Sequence, residues 1–550
     1  MAKSFKKRKQ GPLQASNLIA KKFKQEVPTA NNRNGNGDGN GLDVQSLKGE
    51  IASFNGIKES DDKTGCKTDT SDMIGGVILE DELEITTDTL TLLAKNPDLL
   101  SLKALKPFKT AVHEYWRVSN EVSGVGSSLS SRISSALVDQ RHIDALVLLS
   151  EMSLRGQMPK LGALQRWVRE CDAVLSPGMK PEDRDMVWQV LDMILRTTQP
   201  ELIADDGASS ASPSSPDSPK VQGRLRWFPP FNALPLSDRQ SNPTHYNLDE
   251  VVANAVSVLK PLDTTPGSQR RPPNKHPCVI YYSPPNTFPL LPVSQLISPP
   301  KRYDVPGVPG AFVITSALDP RESAALVMAA EKIGLLPDEP VGGSATQKES
   351  VLAHNFVWLA DEVFERGLFD RIKELLPQEV NGGRVMGINK RFRLYRYRKG
   401  SVYRPHIDGA WPASSISETT PPTYVYDSDP KLYSRLTLLL YLNSGTPPPS
   451  SEPSSTNADS DFQPIPDPSS PLPTFTSGNT TYFLPSSTPG VLHARPILPV
   501  SGACAVFPHG AARGSLLHEG SGVGVGAKYV VRTEVLYEVR EEERVNVGNG

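Results

Sequence analysis

The 550-residue chain carries only 4 cysteines, Cys66, Cys171, Cys278 and Cys504, and no two of them form a C-x-x-C pair. This excludes a disulfide-stapled scaffold and a zinc site built on cysteine, and it fits a reducing compartment. No apolar run reaches the ~18 residues that a membrane-crossing helix needs, and no signal-peptide-like apolar segment follows the basic start. The formal net charge is −2, so overall charge points to no class of partner. Acidic residues are absent before Glu26, whereas Lys6-Lys7-Arg8-Lys9 and Lys21-Lys22-Phe23-Lys24 are strongly basic. Lysine dominates there and arginine is scarce, which argues against a mitochondrial presequence. The two clusters read as a nuclear address or a nucleic-acid-binding tail, set against a solvated tail with no address. The expected location is intracellular, nuclear or cytoplasmic, with no membrane.

What the chain does have divides it into four regions. Residues 1–83 are rich in Gly, Asn, Asp and Lys. They cannot bury enough apolar surface to offset chain entropy, so a disordered basic tail is expected. From 84 to 200 the apolar residues recur at helical spacing, as in Val187, Val190, Leu191, Ile194 and Leu195. Segments 142–155 and 160–172 read as helical hairpins. A small helical bundle is expected in preference to a helical repeat, because no strict repeated motif is present. Residues 201–300 read as a Pro/Ser-rich linker with short ordered segments, among them a helix at 248–260. A compact domain is expected over 301–542. It contains a helix from Pro320, capped by Asp319 and stopped at Gly334, and strands at Phe312–Ile314, Phe392–Arg398, Arg435–Leu442, Thr480–Leu484, Ala503–Phe507 and Tyr529–Tyr537. Two insertions, 412–433 and 445–477, are rich in Ser, Pro, Thr and Asp and read as mobile surface loops.

The chemistry centres on His406-Ile407-Asp408. Side chains alternate along an extended strand, so an imidazole and a carboxylate two residues apart project to the same side. A second histidine from a distant strand can complete a three-ligand face. Two histidines and one carboxylate with open positions are what non-haem Fe(II) oxygenases use. His518, in Leu516-Leu517-His518-Glu519-Gly520, is the candidate. Lys528 follows ten residues later, where a cation can hold a carboxylate of a bound acid. Arg532 falls on the same strand face, so both cations stay open for that role. His509 is a rival distal ligand and reads as a loop residue. His493 and His354 read as surface or packing histidines, and Cys504 as structural.

The region from about 305 to 540 resembles the prolyl 4-hydroxylase-like branch of the Fe(II)/2-oxoglutarate-dependent dioxygenases. The resemblance rests on His406-x-Asp408, on Ser434-Arg435-Leu436-Thr437-Leu438-Leu439-Leu440-Tyr441-Leu442-Asn443, on Gly478-x-Thr480-x-x-Phe483 and on Gly502-x-x-x-x-Phe507. His518 with Lys528 completes it. It implies an α+β fold with a double-stranded β-helix (jelly-roll) core and flanking helices. It implies Fe(II) held by His406, Asp408 and His518, with Lys528 binding the distal carboxylate of 2-oxoglutarate. Tyr397 and Tyr441 match co-substrate-contacting tyrosines, although either can equally be a core aromatic. Thr480 lies on a strand lining the same pocket. Gly478-Asn479 stands where the family often has two glycines, which bears on the start of that strand.

The implied reaction consumes 2-oxoglutarate and O2, releases succinate and CO2, and hydroxylates a prolyl residue of a protein or peptide, with ascorbate as reductant. Two other functions remain. A nucleic-acid oxidative demethylase is suggested by the basic clusters, and would bind in a steeply salt-dependent way. An interaction scaffold carrying an inactive oxygenase-like domain is suggested by the helical region and the linkers. If 84–200 serves only to bind a protein partner, deleting it is expected to spare catalysis.

Overall fold

The structure, a computed structural model, describes residues 73–74, 77–124, 128–173, 179–198, 220–240, 246–270, 273–341, 353–447 and 466–540. The basic clusters and nearly all of the expected disordered tail lie outside these residues. The chain divides at Leu83/Glu84. Before that division the described residues hold a two-strand pair, Met73–Ile74 with Ile78–Leu79. Apart from the first turn of the helix Glu80–Lys95, everything below belongs to the second unit.

The helices are α1 (Glu80–Lys95), α2 (Lys106–Gly124), α3 (Leu129–Val138), α4 (His142–Leu154), α5 (Leu161–Ala173), α6 (Pro181–Arg196), α7 (Leu248–Val258), α8 (Pro320–Ile333) and α9 (Glu362–Ile372). The strands that matter here begin with β1 (Lys220–Gln222), β2 (Leu225–Trp227), β3 (Lys260–Thr265), β4 (Cys278–Tyr282), β5 (Lys301–Asp304), β6 (Phe312–Thr315) and β7 (His354–Leu359). They continue with β8 (Glu379–Val380), β9 (Gly383–Ile388), β10 (Arg391–Arg398), β11 (Tyr403–His406), β12 (Ser415–Ile416), β13 (Tyr424–Val425) and β14 (Leu432–Tyr441). The last are β15 (Gly445–Thr446), β16 (Phe475–Thr476), β17 (Thr480–Pro485), β18 (Leu492–Ile497), β19 (Cys504–Pro508), β20 (Leu517–Gly520) and β21 (Ala527–Glu538).

The result is a mixed α+β unit with two large sheets among the described residues. An 11-stranded sheet runs β3-β4-β7-β10-β21-β14-β19-β6-β5, with β9 also on β21 and β8 on β9. A 6-stranded sheet runs β11-β20-β17-β18-β2-β1. Pairing is antiparallel except for β4 with β7 and β18 with β2.

Strand alternation sorts the residues into layers. On β14, Leu436, Leu438 and Leu440 face a core shared with α7, α8 and α9. Leu439 and Tyr441 face the other way, into a core between the sheets with Tyr395, Phe507 and Tyr482. On β17, Tyr482 and Leu484 join that inter-sheet core, while Phe483 points outward into the helical layer. Helix α8 starts where its sequence dictates. The Asp319 carboxylate accepts the Arg321 amide at 2.9 Å, and Glu322 accepts the Asp319 amide at 2.7 Å, a reciprocal capping box. Gly334, with φ of +107°, ends it.

Three sequence expectations are corrected. The stretch read as a linker contributes structure to both sheets from Lys220 onward: β2 lies along β18, and β4 along β7. Local proline content hid these strands, because their stability comes from partners far along the chain. The insertion 412–433 is folded into the hairpin β12–β13. Of the insertion 445–477, residues 448–465 lie outside the described set. The remainder is tied down by β15 with β16 and by the fully buried Arg239–Asp467 ion pair at 2.8 Å.

The third correction concerns the helical region. Helices α3 to α6 share one core with Leu225, Ile407, Phe483, Leu492, Ala494 and Leu517 of the small sheet and its loops. Trp188 packs on Phe483 with ring centroids 5.5 Å apart. The Arg196 guanidinium donates to the Ser486 carbonyl at 2.8 Å, and the Gly490 amide donates to Asp192 at 2.7 Å. A segment bound this way is a wall of the unit, so its removal is not neutral for the fold. Deleting 128–198 uncovers Phe483, Leu492 and Leu517, and the product is expected in the insoluble fraction. Trp188→Ala should destabilise the intact chain by about 3–5 kcal/mol. Urea denaturation measures this, and a loss below about 1 kcal/mol would show that this packing does not hold the layers together.

Candidate metal centre

The two histidines meet because β11 and β20 are paired with His406 directly opposite His518. Residues opposite one another on antiparallel strands lie ~4.5–5.5 Å apart. Here the imidazole centroids are 4.3 Å apart. Asp408 follows just past the end of β11. One ligand atom from each of His406, Asp408 and His518 falls within 4.8 Å of the others.

The hydrogen bonds decide which imidazole nitrogen points inward. His406 Nδ1 lies 2.8 Å from the Arg404 carbonyl, and His518 Nδ1 lies 3.0 Å from the Leu516 carbonyl. A carbonyl only accepts, so both Nδ1 atoms carry a proton, and Nε2 is the nitrogen that each ring turns inward. These Nε2 atoms lie 3.5 Å and 3.7 Å from the oxygens of Asp408. When unprotonated, their lone pairs facing a carboxylate repel it unless a cation sits among them. The donor set and its backbone support therefore fit a divalent transition metal. Burial, reinforced by His406, pushes His518 down to about 3, so it stays neutral and able to ligate near neutral pH. Burial opposes ionisation of Asp408, but the Arg532 guanidinium and both histidines outweigh it and hold the carboxyl well below the usual range.

The sequence-selected residues converge on one cavity. His406, Asp408, His518, Tyr397, Thr480, Lys528 and Arg532 all line it. Tyr397 lies opposite Lys528 across β10 and β21. Tyr441 stands behind the lining, 1% exposed, and its hydroxyl donates to Thr480 at 2.9 Å. Thr480 is the first residue of β17, despite the Gly478-Asn479 departure.

The two candidate cations differ in their surroundings. Arg532 lies 3.3 Å from Asp408 and 3.6 Å from Glu534. Lys528, 4% exposed, has no carboxylate within ion-pair distance among the described residues. Its Nζ lies 5.7 Å and 5.8 Å from the ring centroids of Tyr397 and Tyr441. Burial pushes its ammonium down to about 7, against weak support from Glu519. A buried cation without a counter-ion facing a cavity is poised for an anionic ligand.

Several participants escaped the sequence reading. Tyr403 stands over His406 at 4.2 Å between ring centroids, and Tyr395 and Glu519 complete the lining. Burial pushes Glu519 up to about 7. From α5, Gln165 donates to the carbonyl of Ile407, the residue between the two ligands, at 3.0 Å. Only Glu519 had a local signal, its adjacency to His518. His509 lies in a loop, as read, and is buried behind the centre, 2.6 Å from Thr437. His493 is a buried packing residue against Phe228, at 4.9 Å between ring centroids. His354 is half-buried at the start of β7. Cys504 is buried in a strand and its thiol is pushed up to about 12 by that burial, which suits an unreactive structural role.

Part of the chain is similar to solved structures of prolyl hydroxylases and 2OG-Fe(II) oxygenases. The viral collagen prolyl hydroxylase of Paramecium Bursaria Chlorella virus-1, in a 2OG complex, is 17% identical with a TM-score of 0.23, over 42% of this chain and 96% of that one. A Trichoplax adhaerens prolyl hydroxylase in complex with a hypoxia inducible factor peptide fragment is 14% identical with a TM-score of 0.24, over 43% and 86%. HygX of Streptomyces hygroscopicus, with nickel and 2-oxoglutarate bound, is 14% identical with a TM-score of 0.23, over 42% and 83%. No protein-family model and no curated protein matches the sequence. Among the described residues no helix is long and apolar enough to cross a membrane.

Lys528 makes a pH prediction. In the unfolded chain it stays protonated to its ordinary value of 10.5, whereas the fold holds it near 7. The unfolded state therefore binds more protons between these values, and stability rises with pH across that window. Lys528→Met should stabilise the ligand-free protein at pH 7 by an amount on the order of a few kcal/mol, and should flatten the rise toward pH 10. Thermal denaturation from pH 7 to 10 measures both effects. Parallel curves for variant and wild type would mean that the ammonium is solvated.

Proposed function

We propose that this chain is an Fe(II)- and 2-oxoglutarate-dependent dioxygenase whose two facing sheets form a double-stranded β-helix, and that it hydroxylates prolyl residues of a protein or peptide. The observation carrying this reading is that one cavity holds both the converging His406, Asp408 and His518 donors and the unpaired Lys528. A bare metal site would not need a second, buried cation. A carboxylate-bearing co-substrate that also ligates the metal accounts for both.

In this reading His406, Asp408 and His518 hold Fe(II). When bound, iron with 2-oxoglutarate and O2 supplies the oxidative hydroxylation of a substrate C–H bond, with release of succinate and CO2. Lys528 anchors the distal carboxylate by a charge-assisted hydrogen bond that the surrounding aromatic residues keep dry. The Thr480 hydroxyl, oriented by Tyr441, offers a further contact, and Tyr397 forms the floor beside Lys528. Arg532 stays with Asp408 and balances its charge. His518, held neutral by burial, loses no proton on ligation near pH 7. Ascorbate is the reductant this chemistry calls for. The prolyl substrate rests on the sequence resemblance.

The direct test is thermal denaturation of the intact chain with Mn(II) and 2-oxoglutarate under nitrogen. A ligand at a hundredfold excess over its Kd stabilises the fold by about 2.7 kcal/mol. The shift should require both metal and co-substrate and vanish in Asp408→Ala; its absence from the folded wild type would sink the reading. Lys528→Ala should raise the 2-oxoglutarate Kd by about 10–100-fold, as expected for a lost hydrogen bond to a charged group. An unchanged Kd there, with a loss in Arg532→Met, would move the carboxylate to Arg532. The substrate is tested by incubating proline-containing peptides and following succinate together with a one-oxygen mass gain. Succinate released without modification of any peptide would leave the prolyl assignment unsupported.

A further inference from the structure

Behind the centre lies a line of buried side chains that the proposed chemistry does not use. Thr437 Oγ1 lies 2.7 Å from Asp408 Oδ2 and 2.6 Å from His509 Nδ1. His509 Nε2 lies 2.7 Å from Ser434 Oγ, and Ser434 Oγ lies 2.7 Å from the amide nitrogen of Trp411. Ser434 and Thr437 are fully buried, and His509 is nearly so.

The two ends fix every donor between them. An ionised carboxylate only accepts, so the Thr437 hydroxyl donates to Asp408 and must itself accept from His509 Nδ1–H. His509 then has its lone pair on Nε2 and accepts from the Ser434 hydroxyl. Ser434 in turn accepts from the Trp411 amide, which can only donate. The chain runs one way, from the Trp411 N–H to Asp408 Oδ2, and each hydroxyl and each ring nitrogen is used once. It is consistent only with a neutral His509, and burial pushes that residue down to about 3. The same relay binds the loop after the first two ligands to β14, because the Ser434 amide also donates to the Trp411 carbonyl at 2.9 Å.

We propose that Ser434, His509 and Thr437 form a positioning relay that sets the orientation of the Asp408 carboxylate. It fixes the carboxylate plane through the Thr437 hydroxyl on Oδ2, so that Oδ2 faces His518 Nε2 at 3.7 Å while Oδ1 faces His406 Nε2 at 3.5 Å and Arg532 at 3.3 Å. His509 is thus a positioning residue and not a spare ligand. Outer hydrogen-bond partners of metal-binding groups typically contribute 10–100-fold to affinity. This inference rests on the metal-site reading above.

The test uses the full chain and Mn(II) itself, with free Mn(II) followed by electron paramagnetic resonance. Thr437→Val replaces one hydroxyl by a methyl at nearly constant volume, and His509→Leu removes both ring nitrogens. Both should weaken Mn(II) binding by about 10–100-fold. Thr437→Ser keeps the hydroxyl and His509→Asn keeps a donor near the Nδ1 position, and both should stay within about threefold of wild type. Co(II) loading gives a second readout: the ligand-field absorption should shift in Thr437→Val and be retained in Thr437→Ser, as expected if the carboxylate has turned. A merely structural role would lower the melting temperature of both Thr437 variants without separating them in affinity or spectrum. If His509→Leu does not fold, the Thr437 pair decides. Folded Thr437→Val with wild-type Mn(II) affinity and Co(II) spectrum would overturn the relay. A wild-type chain that binds no Mn(II) would overturn the metal-site reading instead, a distinct result.

Discussion

The register between β11 and β20 is the constraint from which the centre follows. These short strands place His406 opposite His518, although 112 residues separate them in the sequence. A shift of one residue would turn one imidazole to the opposite face and disperse the donor set. The register is held from both sides of the small sheet. On one side β17 pairs with β20 and carries Thr480 into the cavity. On the other, the helical layer packs on Phe483 and Leu517 and reaches the Ile407 carbonyl through Gln165. The converging His406, Asp408 and His518 donors, the cavity lining and the helix packing therefore all depend on one strand pairing.

The charges around the centre are arranged at some cost to the fold. Asp408 is compensated by Arg532 and by the Thr437 hydroxyl. Lys528 has Glu519 nearby but no ion pair among the described residues, and its burial opposes folding until an anion arrives. Buried groups with unmet electrostatic demand mark the place where the protein is built for a ligand and not for its own stability. Arg239–Asp467 and Arg371–Glu322 are buried pairs of the opposite kind, complete within the chain and remote from the cavity lining.

The donor triad and most cavity strands were legible in the sequence because their signals are local. An H-x-D pair, the alternation of Thr437, Leu439 and Tyr441 against Leu436, Leu438 and Leu440, and the Asp319 cap each depend on near neighbours. What escaped depends on distant ones. The strands β2 and β4 lie in proline-rich sequence and exist because β18 and β7 hydrogen-bond to them. The helical layer reads as an independent bundle, because nothing in its periodicity reveals that Trp188 will meet Phe483 almost 300 residues later. His509 looked like a loop residue, which its backbone is. Its importance comes from Ser434 and Thr437, on a strand more than 70 residues away. The choice between Lys528 and Arg532 could not be made from alternation, since both share a face. What separates them in the fold is that Arg532 lies beside Asp408 and Lys528 does not.

The helical layer also sets an order of events during synthesis. A chain emerging from its N-terminus presents α3 to α6 early, with their apolar face uncovered until β17, β18 and β20 are made. The H-x-D segment likewise appears long before the strand that carries its partner histidine. Contacts so far apart in sequence are slow to form, because loop closure precedes any gain from packing. The nascent protein thus lacks the converged His406, Asp408 and His518 donor set through most of its synthesis, and acquires it only when β20 closes the small sheet.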